Sequence, residues 1–192
     1  MSGETTAGSD SAPALWTIGH STRSIQTLID LLRQAGIELL ADVRRHPWSR
    51  RHPQFTRDAL AGSLQAEDIE YHWFPELGGM RKPREGSRNT GWRNDSFRGY
   101  ADYMETQAFR VAVARLLELA RSKRTACMCA EQDWQQCHRG LLADYFKVQG
   151  HEVRHILSPD RIELHPYTKP ARILDREVSY ADKLPTQEGF DF

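Results

Sequence analysis

The sequence predicts an α/β fold: a single three-layer, Rossmann-like domain whose mainly parallel five-stranded sheet is flanked by helices. Three observations carry that expectation. Five short apolar or β-branched runs, at 15–20, 38–43, 69–74, 124–130 and 152–157, have the length and composition of strands. Amphipathic helical patterns lie between several of them. Strand alternating with helix implies right-handed crossovers, and hence a parallel sheet covered on both faces.

Taken in order, Ser24 is placed to cap a first helix that aligns Ile25, Leu28, Ile29, Leu32 and Ala35 on one face and ends at Gly36. Thr56 is placed to cap a second helix carrying Ala59, Leu60 and Leu64. A third, over 106–122, spaces Phe109, Val113, Leu116, Leu117 and Ala120 helically. The fourth starts near Cys137, runs through Leu141, Leu142, Tyr145 and Phe146, and stops at Gly150. Segment 76–99 is rich in Gly, Arg and Asn and lacks periodicity, so it reads as a long excursion loop of the kind that is usually functional. The α/β domain is thus expected over 15–158, after a disordered leader at 1–14 and before an irregular C-terminal tail at 159–192.

Composition excludes several classes. At 192 residues, with 39% apolar and 27% charged residues, the chain suits one globular domain and contains no run near the roughly 20 residues needed to span a bilayer. The leader lacks a basic start and an apolar stretch, so it is not a signal peptide. Three cysteines without framework spacing argue against a disulfide-stapled secreted fold and place the protein in a reducing cytoplasm. Net charge is zero, yet it is unevenly spread. Arg44, Arg45, Arg50, Arg51 and Arg57 precede any acid in 44–57, and Arg81, Lys82, Arg84, Arg88, Arg93 and Arg98 outweigh Glu85 and Asp95 in 81–98.

Ligands of open α/β sheets bind outside the carboxyl ends of the strands. Those ends carry His20 and Ser21, Asp42 and Arg44, Glu76 before Gly78-Gly79, and Cys129 with Glu131. Alternation puts Thr125, Cys127, Cys129 and Glu131 on one side of their strand, with Cys127 deep enough to be packing. Cys137 falls at a helix start, where unpaired N–H groups, the helix dipole, Arg139 and a charged His138 favour thiolate and also bind anions.

Three chemistries fit these residues. Cys137 or Cys129 is a nucleophile, with Glu131 or a histidine moving protons. Alternatively the two form a reversible disulfide, or bind zinc or iron with His20 or His138. There is no C-x₅-R, no C-x-x-C, no G-x-G-x-x-G and no G-x-x-x-x-G-K-[ST], so cysteine-phosphatase, thioredoxin and nucleotide-cofactor fingerprints are absent and no cofactor is specified.

Six pieces, Thr17-Ile-Gly-His-Ser21, Asp42-Val-Arg44 with Pro47 and Ser49, Leu77-Gly-Gly79, Tyr100–Met104, Cys129-Ala-Glu131 and Cys137-His-Arg139, span residues 16 to about 157. Together they resemble the bacterial family known as domain of unknown function 488. The resemblance implies that His20, Asp42, Arg44, Cys129, Glu131, Cys137, His138 and Arg139 belong to one constellation. It implies no particular reaction.

The basic segments also carry Trp48, Phe55, Trp92 and Phe97, while Trp73 sits in a strand and reads as core. Arginine pairs bidentately with phosphate and aromatic faces stack on bases, so the mixture suits nucleic acid or a nucleotide. The expectation is therefore an enzyme acting on an anionic substrate. Cys137, Glu131, His20, Cys129 and His138 do its chemistry, while Arg44, Arg139, Asp42, Ser21, Arg50, Trp48, Arg93 and Trp92 hold the substrate. The alternatives are a non-catalytic nucleic-acid-binding module and a metal or redox protein built on Cys129 and Cys137.

Overall fold

In the computed structural model, which describes residues 12–182, every predicted strand is found within a residue or two of its expected place. They are β1 (Leu15–Gly19), β2 (Leu39–Asp42), β3 (Glu70–Trp73), β4 (Thr125–Cys129) and β5 (Val153–Ser158). A sixth strand, β6 (Arg161–Leu164), pairs antiparallel with β5, so the sheet order is β3-β2-β4-β1-β5-β6 and all other pairings are parallel. Periodicity does not announce β6: Ile162 and Leu164 remain 45% and 62% exposed, and pairing with β5 rather than burial makes it a strand.

The helices are α1 (Ile25–Gln34), α2 (Arg57–Gln65), α3 (Asp95–Met104), α4 (Gln107–Ser122) and α5 (Arg139–Val148). Ser24 caps α1 by accepting the Thr27 N–H at 3.0 Å, and Gly36 and Gly150 follow α1 and α5 with φ of 66° and 95°, which suits glycine. Thr56 precedes α2, but its hydroxyl donates to the Pro53 carbonyl instead of capping. The expected long loop is shorter than 76–99, because Asn94 accepts from Ser96 and Phe97 N–H and starts α3 inside it. What remains is pinned by the buried Asp102 carboxylate, which takes the Arg84 N–H, the Ser87 hydroxyl and the Asn89 amide. The tail expected to be irregular contains β6 and a hairpin of β7 (Arg172–Leu174) and β8 (Glu177–Ser179). Residues 1–11 of the expected leader and 183–192 of the tail lie outside the described residues.

Alternation along the strands divides the core in two. Trp16, Ile18, Leu40, Ala126 and Met128 pack against α1 and α2, while Leu15, Leu39, Ala41, Cys127 and Cys129 pack against α3, α4 and α5. The crossovers from β1 and β2 thus use one face, and that from β4 uses the other. Since β4 lies between β1 and β2, their chains part at its carboxyl end and leave a crevice there. No helix among the described residues is long and apolar enough to cross a membrane.

Candidate active site

A cleft of about 250 Å³ opens at that point, bordered by Arg44, Gly79, Phe97, Cys129, Glu131, Cys137 and His138. Cys129 ends β4, and Cys137 and His138 arrive from the turn before α5. The His138 Nε2 faces the Val43 carbonyl at 3.2 Å, which fixes Nε2 as the protonated donor. Nδ1 is then the nitrogen turned toward the sulfurs, 3.8 Å from the Cys129 Sγ and 3.7 Å from the Cys137 Sγ. Gly79 makes the approach possible, since a Cβ there would stand 2.8 Å from His138 Nδ1. Sequence reasoning named Gly79 only as a rim residue, and missed that its lack of a side chain opens the imidazole.

Arg139 is 1% exposed, and among the described residues none of its hydrogen-bond partners is a carboxylate. Its Nη2 donates to the Glu131 and Gln132 carbonyls at 2.5 and 3.3 Å, and Nη1 to the Thr17 hydroxyl at 3.4 Å. Its Nε and backbone N–H both donate to the Cys137 Sγ, at 3.4 and 3.5 Å. A buried guanidinium needs a counter-charge. Cys137 supplies one: burial alone would raise its thiol, but the Cys129 S–H, His138 and Arg139 outweigh burial and hold it well below the ordinary thiol range. Cys129, beside the Cys137 sulfur and desolvated, is pushed well above that range. The two thiols therefore titrate as a pair, with Cys137 the more acidic member. Cys127, fully buried, is pushed up to about 12 and belongs to the core, as its position suggested.

Behind Arg139 runs a buried chain that sequence reasoning did not find. Thr17 Oγ1 meets His155 Nδ1 at 2.7 Å, His155 Nε2 meets His165 Nδ1 at 2.9 Å, and His165 Nε2 meets Asp144 Oδ1 at 2.8 Å. Asp144 also accepts from the Thr168 N–H at 2.8 Å and hydroxyl at 2.5 Å, and from the Tyr180 hydroxyl at 2.8 Å. The carboxylate only accepts, so His165 Nε2 donates to it, and with a neutral His165 every other donor in the line also points toward Asp144. The chain ties the C-terminal segment to the residue that holds Cys137.

His20, Asp42 and Arg44 form a second cluster toward α1 and α2. Arg44 grips Asp42 bidentately, Nε to Oδ1 at 2.8 Å and Nη2 to Oδ2 at 2.6 Å. Its Nη1 donates to the Phe55 carbonyl at 2.8 Å and to His20 Nε2 at 3.2 Å, while the Tyr71 hydroxyl donates to Asp42. The sequence-based role of Arg44 as anion holder is therefore largely taken up inside the protein, although it still borders the cleft. Arg139 is likewise engaged internally. His20 stacks on Phe55 at 4.2 Å, its Nδ1–H donates to the Ser21 carbonyl, and it does not line the cleft. Ser21 is half-buried in a turn with φ of 48°, and its N–H donates to the Ala130 carbonyl at 2.8 Å.

The His20 environment has a measurable consequence. Burial first, and then the Arg44 charge, drive its pKa from 6.5 down to about 4. The unfolded chain takes up this proton near pH 6.5, whereas the folded protein does not until about pH 4. Stability should fall as pH drops through that window, by up to about 3 kcal/mol, and His20 adds no further slope below it. His155, driven to about 2 by burial and then by His165, adds a slope of the same sign. Urea midpoints at pH 7 and pH 4.5 should differ less in His20→Gln than in wild type. An equal difference would contradict the assignment.

The remaining sequence-predicted site residues are dispersed. Glu131 is exposed at the cleft, which is bordered also by Phe97 of the aromatic and basic mixture and by Ser96, which was not anticipated. Trp48, 78% exposed, lines a neighbouring cavity, and Arg50 is exposed on the same loop. Trp92 packs instead on Phe97 and Tyr180 and, like Arg93, does not line the cleft. Much of the second basic segment is neutralised internally: Arg84 and Arg88 pair with Glu105, and Arg98 with Asp95.

The geometry describes a doubly wound α/β protein in which Cys129, Cys137 and His138 lie together at the switch point of its sheet. The chain belongs to the family described as domain of unknown function DUF488, whose profile matches residues 24–146. That span contains Arg44, Gly79, Cys129, Cys137, His138 and Arg139. No curated protein and no solved structure matches the chain.

Proposed function

We propose that the protein is a thiol-dependent enzyme acting on an anionic substrate of the nucleotide or nucleic-acid class. The observation that carries this reading is the convergence of His138 Nδ1 and Arg139 Nε on the Cys137 sulfur at the floor of the cleft. Cys137 thiolate attacks an electrophilic centre of the substrate, forming a covalent bond to sulfur as the leaving group departs. His138, whose other nitrogen is committed to Val43, moves the proton, and Glu131 at the cleft activates the water that releases the product. Arg45 and His46, exposed beside the cleft, meet the substrate's negative charge.

The test is alkylation by iodoacetamide at pH 6, with the modified residue found by mass spectrometry. Cys137 should react at least about tenfold faster than a peptide cysteine, whereas Cys127 and Cys129 should not react. Cys137→Ser should abolish the fast modification. A Cys137 no faster than a peptide thiol would overturn the reading.

A second reading rests on a separate observation. The Cys129 and Cys137 sulfurs and a His138 nitrogen lie within 4.8 Å of one another, and the two sulfur–nitrogen separations are 3.7 and 3.8 Å. A tetrahedral zinc ion would require about 3.6 Å between such atoms. The Val43 contact behind His138 is the outer support that a metal-bound imidazole needs. Elemental analysis after purification without chelators decides between the two. One equivalent of zinc or iron makes Cys137 a ligand, and a trace amount leaves it as the nucleophile.

A further inference from the structure

We infer that the cleft between Trp48 and Trp73 is a subsite for an unpaired nucleobase carrying a phosphate, a placement that rests on the nucleotide-class reading of the substrate. The cavity measures about 500 Å³ and is bordered by Arg45, His46, Trp48, Arg57, Asp58 and Trp73, among others. Arg45 and His46 border this cavity and the Cys137 cleft alike, so the two are neighbours with a basic partition. A base held between the indoles would direct its sugar and phosphate along that partition toward Cys137.

The two tryptophans differ in a way that suits a stacking slot. Trp73 is anchored, its Nε1–H donating to the Arg44 carbonyl at 2.9 Å, and the Arg57 guanidinium lies 5.3 Å from its ring centroid. Trp48 stands 78% exposed, stacked only loosely on His46 with centroids 6.3 Å apart. An indole left in water beside a cavity gains by covering its face, and a nucleobase is flat enough to do so.

Charge selects among flat or apolar occupants. Arg45, His46 and Arg57 face a single acid, Asp58, which is already bound to Arg57 at 3.1 Å. The surplus positive charge disfavours a basic peptide side chain and favours a group that combines an aromatic plane with an anion. A nucleotide has both. The same chemistry is offered by a free mononucleotide and by a single strand of nucleic acid.

The experiment titrates the full chain at low salt with adenosine 5′-monophosphate, with a short single-stranded oligothymidylate and with inorganic phosphate, following heat and tryptophan quenching. Either nucleotide ligand should bind, and Trp48→Ala should weaken it about ten- to a hundredfold, as the loss of one stacking platform does. Because Trp48 is exposed, that variant should keep its fold, which circular dichroism confirms. Comparable affinity for both ligands identifies a free nucleotide. Much tighter oligonucleotide binding that weakens steeply with salt identifies a strand. The inference is overturned if neither ligand binds, if Trp48→Ala binds as wild type does, or if phosphate alone binds as well as the nucleotide. Cys137 alkylation is measured in parallel: loss of thiol reactivity with Trp48-dependent binding removes only the catalytic reading, and the converse removes only the subsite.

Discussion

Replacing Asp144 with alanine should destabilise the protein by at least about 3 kcal/mol, because four donors then lose their acceptor inside the core. Asp144 is fully buried, and it binds His165, Thr168 and Tyr180, which arrive from the C-terminal segment. Amide exchange in residues 165–181 should accelerate more than exchange in the central strands, since the segment loses its main polar anchor. The effect should also reach the cleft: without Asp144 the order of donors through His165, His155 and Thr17 is no longer imposed, and Arg139 is less firmly held against Cys137. Slower alkylation of Cys137 in the folded variant would register that coupling. Asp144→Asn should lose less, because its shape is retained and one oxygen still accepts. A denaturation midpoint unchanged by Asp144→Ala would show that the chain contributes nothing to stability.

Gly19→Ala should be nearly as damaging, for a steric reason. A Cβ at Gly19 would fall 1.8 Å from the Glu131 carbonyl oxygen and 2.9 Å from the Arg139 Nη2, and that same carbonyl accepts the Arg139 donor. The end of β1 must therefore separate from residues 130–132, which costs about 1–3 kcal/mol and moves Arg139. Thermal unfolding and Cys137 alkylation should both report the change. Gly62→Ala is the control. It lies in α2 with open space around it and should be neutral or gain about 0.5–1 kcal/mol. Equal behaviour of the two variants would refute the close-approach argument.

Local pattern made much of this molecule legible. The alternation in 124–130 separated Cys127 and Cys129 from Ala126 and Met128, as the two halves of the core show, and the helix signals at Ser24, Gly36 and Gly150 lie where α1 and α5 begin or end. Trp92 was expected at the substrate because it is flanked by basic residues, and Arg93 because it belongs to the basic segment. Trp92 packs instead on Phe97 and Tyr180, and neither it nor Arg93 borders the cleft. The Thr17–His155–His165–Asp144 chain left no local signature. Its members come from β1, β5, the segment after β6 and α5, and each alone resembles an ordinary polar residue in a core element.

The sequence by itself determined five of the strands, four of the helices and which polar residues lie at strand ends along the carboxyl rim, because those depend on periodicity and on neighbours a few positions away. Tertiary structure alone decided how that rim is divided. Crossovers on opposite faces of the sheet send His20, Asp42 and Arg44 toward α1 and α2, and Cys129, Cys137, His138 and Arg139 toward the other helices. It also decided that two of the arginines expected to hold substrate, Arg44 and Arg139, spend most of their donors inside the protein. The physical reason is burial: a guanidinium removed from water must find its partners where the packing of distant segments supplies them, and no local pattern specifies those segments.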